Sequence, residues 1–180
     1  MGTIRSFLIA LLMVLFAGWP ARSIHPLFTD NDVVFDPTLI GTWISGDDSY
    51  TFSPSSDNSY RTVIHSLTTD DSSVYTVQAG SIGRHRYLDS YPYVNSDEHH
   101  YLSVHVFSLM ILTGDTMMLA SFENDWLEKQ IETKKISIPH IKRGQEIIIT
   151  ATTKELQKMF RTIDGNSLAF PNPTIYTRRQ

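Results

Sequence analysis

Seven histidines and a tyrosine-rich strand pattern are the side chains of this 180-residue chain best suited to chemistry. The histidines are His25, His65, His85, His99, His100, His105 and His140. A metal site needs three or four such ligands converging within about 2 Å of one ion, each ring oriented by a further group. His99 and His105 share a face if extended, yet at roughly 3.3 Å per residue they stand about 20 Å apart, so only a cross-strand partner such as His85 could complete a site. No two histidines have the helical His-x-x-x-His spacing, so no metal ligand is assigned and no cofactor is expected.

The segment RHRYLDSYPY puts His85, Tyr87, Asp89 and Tyr91 on one strand face, able to hold a polar ligand or to set a His-Asp pair beside a nucleophile. A serine nucleophile on a strained elbow is not indicated, because Gly-x-Ser-x-Gly does not occur. The acid pairs Asp70-Asp71 and Asp97-Glu98 fall in turn-like segments, where solvated carboxylates are ordinary. No phosphate-cradling glycine loop, dinucleotide fingerprint or zinc knuckle is present. No catalytic residue is therefore assigned, and a hydrolase built on His85 or His105 with an acid ranks third among the functional readings.

These residues must be positioned by strands. Gly46-Asp47-Asp48, Pro54 to Asn58, Thr69 to Ser72, Gly83, Asn95 to Asp97 and Gly114-Asp115 separate segments of strand length, which predicts an antiparallel meander closing into a barrel or half-open barrel of seven or eight strands. Within it Tyr50 and Phe52 share one face, Tyr60, Thr62 and Ile64 another, and the run Val104 to Leu112 is apolar on both faces. The C-terminal third changes period. NDWLEKQIETKK predicts an amphipathic helix near Asp125 to Thr133, EIIIT a short buried strand, and TTKELQKMFRTIDG a second helix capped by Thr152 and Glu155, with Leu156, Met159, Phe160 and Ile163 on one face and Gly165 at its end. The fold class is mainly β with minor α.

At the N-terminus a basic Arg5 precedes the apolar run Phe7 to Trp19 and the small-x-small ending Ala21 to Ser23, which reads as a secretory signal cut after Ser23. The run is short for a membrane span, so none is expected after cleavage. The domain plan is thus a signal over 1–23, an extended lead-in over 24–40, one β-rich domain over 41–165 and a loose tail over 166–180. Cysteine is absent, which excludes disulfides and fits export to a bacterial periplasm or exterior, as does the lack of a usable Asn-x-Ser/Thr acceptor. Removing residues 1–23 takes away two arginines, leaving 13 basic against 19 acidic side chains, a net charge of −6 that argues against nucleic acid as a partner.

The opening LIGTW, then a turn, YTF, a turn and SYRTV resembles the first strands of lipocalin-like domains of the calycin type, and the Asp36 to Trp43 start is similar to that of bacterial exported proteins without an assigned function. The resemblance implies a meander barrel whose closed end is plugged by Trp43, a pocket for a small apolar ligand and a helix packed outside. Two further features of that family, a Thr-Asp-Tyr loop and an arginine immediately before the last helix to pack on Trp43, are not found. The expected ligand-binding residues are Trp43, Tyr60, Tyr75, His85, Tyr87 and His105, with Trp43, Tyr50, Phe52, Tyr60, Tyr75 and Tyr87 pointing inward. The reading is an exported binding protein for a small apolar ligand, and the alternative is a protein-interaction module of the cell envelope that uses exposed tyrosines and the Trp126 helix.

Overall fold

A computed structural model describes residues 19–46, 48–93 and 104–180. Eight antiparallel strands close into a barrel: β2 (Gly41–Ser45), β3 (Asp48–Pro54), β4 (Tyr60–Ser66), β5 (Ser72–Ile82), β6 (His85–Pro92), β7 (His105–Thr113), β8 (Thr116–Ser121) and β11 (Thr174–Arg178). Each strand pairs with its sequence neighbour except at the seam, where β11 inserts between β2 and β8. The β2–β3, β5–β6 and β7–β8 turns rest on glycines at positive φ, as at Gly114 (φ 56°), whereas β3–β4 turns on Asp57 and Asn58 and β4–β5 on Asp70.

Period-2 alternation gives the barrel wall two buried faces. Inward-facing Trp43, Phe52, Tyr60, Met110, Met117 and Tyr176 belong to one core cluster, inside the lumen. Outward-facing Ile82, Tyr87 and Phe107 belong to another, beneath two helices, α1 (Asn124–Glu132) and α2 (Thr153–Ile163). Phe160 of α2 is central to it, with ring centroids 5.1 Å from Tyr87, 5.2 Å from Phe122 and 5.5 Å from Phe107. Helix α2 begins with the expected capping box: Thr152 Oγ1 accepts from the Glu155 amide, and the Glu155 carboxylate accepts from the Thr152 amide. Its C-cap Asp164 is left-handed, and Leu156, Met159, Phe160 and Ile163 are all buried. At the start of α1 the buried Asn124 side chain donates to Gln145 O and accepts from Ile147 N, tying the helix to strand β10 (Glu146–Ile149).

Three sequence expectations are corrected. The segment 166–180 is not a loose tail: β11 closes the barrel, and inward Tyr176 is 5 % exposed. Ser23 is not a boundary of the fold. Strand β1 (Arg22–Ser23) pairs antiparallel with β7 and parallel with β10, which continues to β9 (His140–Arg143), and Ala21 and Ser23 are fully buried. The remainder of the expected leader, 1–18, lies outside the described residues, as do His99 and His100. Finally, Tyr87 faces out of the barrel. The lead-in crosses the outer wall as expected of an extended segment. It is held where Val33 bridges Gly80 and the Val34 amide donates to Ala79 O, and it ends in a 3-10 turn at Pro37–Leu39. No described helix is long and apolar enough to cross a membrane.

Candidate functional site

Among the described residues the barrel is closed at one end and open at the other. At the closed end Trp43 is fully buried and donates its indole N–H to Leu39 O at 2.9 Å. Arg178, from the last strand, lies over the indole with its guanidinium carbon 4.2 Å from the ring centroid. It also donates to Ile40 O at 2.7 Å and to Thr38 O. A second set of bonds reinforces this end, where Arg86 meets Asp36 at 2.7 Å and Tyr60 Oη accepts from the Asp36 amide at 2.6 Å. Burial pulls the Asp36 carboxyl upward, but the bonds from Thr38 and Arg86 outweigh it and hold the pKa below the usual value.

Above this floor lies a cavity of about 580 Å³ that opens toward the start of β7 and the end of β6. Tyr50, Phe52, Tyr75 and Tyr176 give it aromatic surface, and Val77, Leu88 and Leu119 give it aliphatic surface. Hydroxyls interrupt the apolar lining at Ser90, Ser108, Ser121 and Thr62. Thr62 Oγ1 is buried without a hydrogen-bond partner among the described residues. Burial pushes the phenols of Tyr50 and Tyr176 upward, so both remain neutral hydroxyls, and their rings meet edge-on at 4.9 Å. Arg22 stands at the rim, where its guanidinium meets Glu146 at 2.6 Å. A chamber with this lining can hold a small uncharged molecule through apolar contact and a few hydrogen bonds.

The six expected ligand-binding residues separate into three groups. Tyr75 lines the cavity, whereas Trp43 and Tyr60 pack in the core beneath it. His85, Tyr87 and His105 lie on the outer wall. There the Nδ1 of His85 meets Asp164 at 3.1 Å and the Nδ1 of His105 meets Asp89 at 2.8 Å. Asp89 is fully buried and its second oxygen accepts from the Leu27 amide at 2.8 Å, so the pair anchors the lead-in to the barrel. Burial raises the Asp89 pKa against the opposing pull of His105 and Leu27. The nearest serine in register with His105 is Ser23, whose hydroxyl is engaged by the His25 backbone, donating to its carbonyl and accepting from its amide. The His-Asp pair therefore fastens elements together, and among the described residues no serine or threonine hydroxyl is hydrogen-bonded to His105. Among the described residues no group of three or more His, Asp or Glu side chains is placed to hold a metal ion.

The serines and Thr62 were not singled out from the sequence. Their signal is a small hydroxyl at the inward position of an otherwise apolar strand, as in Val106-Phe107-Ser108-Leu109-Met110, where 106, 108 and 110 share a face. No family model matches the chain, and neither curated proteins nor solved structures show significant similarity to it.

Proposed function

We propose that this protein is a lipocalin-like carrier that holds a small, largely apolar molecule in its barrel. The observation that carries this reading is the chamber of about 580 Å³, open at one end and stopped at the other by Trp43. Eight strands make a barrel just wide enough for its own side chains to fill. Space remains here because β6, β7 and β8 contribute serines and a valine to the lumen where the facing strands contribute rings. The volume falls within the range of small-molecule sites, roughly 300–1,000 Å³. The contact between Trp43 and Arg178 at the closed end adds support to the lipocalin-like reading. The basic start and apolar run upstream of Pro20, with the absence of cysteine, support a periplasmic or secreted location in a bacterium.

Native mass spectrometry of the protein taken from its own cell extract without detergent tests the proposal. A retained small-molecule mass is expected, and it should disappear in Val106→Phe, which places a ring in the lumen. Recovery of only the bare chain from both proteins would count against the carrier reading.

A second reading, an interaction module, draws on the outer wall. Ile111, Met118 and Ile175 are in register across β7, β8 and β11, and Ile111 and Ile175 are 48 % and 55 % exposed. The same spectra would then show a protein complex, lost in Ile111→Ser with Ile175→Ser.

A further inference from the structure

The two sides of the lumen are not alike. Strands β3 and β5 present the rings of Tyr50, Phe52 and Tyr75, with Thr62 and Ile64 of β4 between them, whereas β6, β7 and β8 present the hydroxyls of Ser90, Ser108 and Ser121. Ser108 and Ser121 are direct cross-strand partners, and Ser90 pairs with Val106, two residues before Ser108. In the closed ring of eight strands β7 stands opposite β3 and β8 opposite β4, so the hydroxyl side faces the aromatic side across the chamber. A stripe of serines alone has little meaning. The independent sign of a ligand is Thr62, an inward-facing, fully buried side chain that lines the same chamber and whose hydroxyl lacks a partner among the described residues. Such a group gains from a polar atom brought to it, and it discriminates against molecules that bring none.

Charge is selected against. Among the described residues Arg22 is the one ionised side chain of the lining, it stands at the rim, and Glu146 already answers it. A carboxylate or ammonium ion carried into the chamber would meet no free counter-charge among the described lining residues, a costly arrangement in an apolar surround.

Building on the carrier reading above, we propose that the chamber selects uncharged, ring-bearing molecules with at least one hydroxyl or carbonyl, the ring lying against Tyr50, Phe52 and Tyr75 and the polar atom meeting Thr62 or the Ser90–Ser108 side. Ring-on-ring contact supplies affinity beyond area alone, and the hydroxyls set orientation.

Equilibrium dialysis with four probes tests this: 2-naphthol, naphthalene, 1-octanol and 2-naphthoate. The purified protein is expected to bind 2-naphthol roughly 2- to 10-fold more tightly than naphthalene, the size of one added hydrogen bond. It is expected to bind 1-octanol, which has the hydroxyl but no ring, more weakly than 2-naphthol, and 2-naphthoate most weakly. In Ser90→Ala with Ser108→Ala, or in Thr62→Val, the preference for 2-naphthol over naphthalene should disappear while naphthalene affinity is unchanged. The proposal is overturned if that preference survives in both variants, if 1-octanol matches 2-naphthol, or if 2-naphthoate binds best; in each of those cases the carrier reading stands. If none of the four probes binds, the carrier reading itself fails and this inference falls with it.

Discussion

The guanidinium of Arg178 rests on the indole of Trp43, 4.2 Å from its centroid, while donating to carbonyl oxygens of the 3-10 turn region at Thr38 and Ile40. One side chain from the last strand thereby joins the first barrel strand and the turn that precedes it. A flat cation with several donors suits that position, because it can stack and donate at once, and an ammonium cannot reproduce both. Arg178→Lys should therefore rescue little of the loss in Arg178→Ala, each variant costing about 2–4 kcal/mol in urea unfolding, within the range for losing a desolvated cation–π contact together with charged hydrogen bonds. A lysine variant of wild-type stability would show that charge alone suffices.

Trp43→Ala removes a fully buried ring and the donor to Leu39 O. It should cost about 3–5 kcal/mol. Calorimetry checks this, and a near-normal melting temperature would mean that the closed end is not packed on the indole.

The position of β1 separates two N-termini. A chain beginning at Trp19 keeps the buried Ala21 and Ser23, the Arg22–Glu146 ion pair and the Ala21 amide bond to Phe122 O. A chain beginning at Ile24 loses all of them along with the strand that joins β7 to β10. The shorter chain should unfold at lower urea concentration, with earlier amide exchange in β10. Equal midpoints would show that β1 adds nothing to the fold.

Gly80 marks where the lead-in crosses the wall. A Cβ there would stand 2.6 Å from a ring carbon of Phe28 and 2.8 Å from the backbone oxygen of Asp32. Gly80→Ala should cost about 1–3 kcal/mol, because the obstructing oxygen is backbone and the strap must lift. Faster hydrogen exchange at the Val34 amide, which donates to Ala79 O, is the local sign to seek.

His105→Ala would leave the Asp89 carboxylate buried with only the Leu27 amide. Removing one member of such a pair costs about 3–5 kcal/mol near neutral pH. Burial already raises the Asp89 pKa in the fold, and losing His105 removes an opposing pull, so the folded value climbs further above the unfolded one. Between those two values the folded state binds more protons than the unfolded state, and stability rises as pH falls. The deficit should therefore be largest near pH 7 and shrink as pH approaches the ordinary carboxylate range. A deficit independent of pH would assign the loss to packing.

The barrel strands within residues 41–93 and 104–121 were legible because their turns and alternation act locally: Tyr50 with Phe52, and Tyr60 with Thr62 and Ile64, share faces as the strand period requires, while the expected turn at Asn95 to Asp97 lies outside the described residues. Helix α2 was legible for the same reason, since its capping box is written within four residues. What could not be read was which face of β6 looks inward. Both are buried, Tyr87 under α2 and Leu88 in the lumen, so burial pattern alone gives no phase. Strand β11 was hidden by Pro171 and Pro173, which mimic a frayed end, although Thr-Ile-Tyr-Thr-Arg has strand composition. Strand β1 was hidden because Ala21-Arg22-Ser23 also fits a peptidase motif. The chamber was hidden because its width depends on strands facing one another across the ring, a distance that no single segment encodes.

The strand that closes the ring is made long after the strand it closes on. β2 meets β11 more than a hundred residues later in the chain, and without residues 174–178 the ring would be left with unpaired edges on β2 and β8. Pairing so distant in sequence slows folding, because the intervening chain must be ordered before the contact is rewarded. On the carrier proposal, the enclosed compartment exists only once that final seam is stitched, so loading would follow closure of the ring.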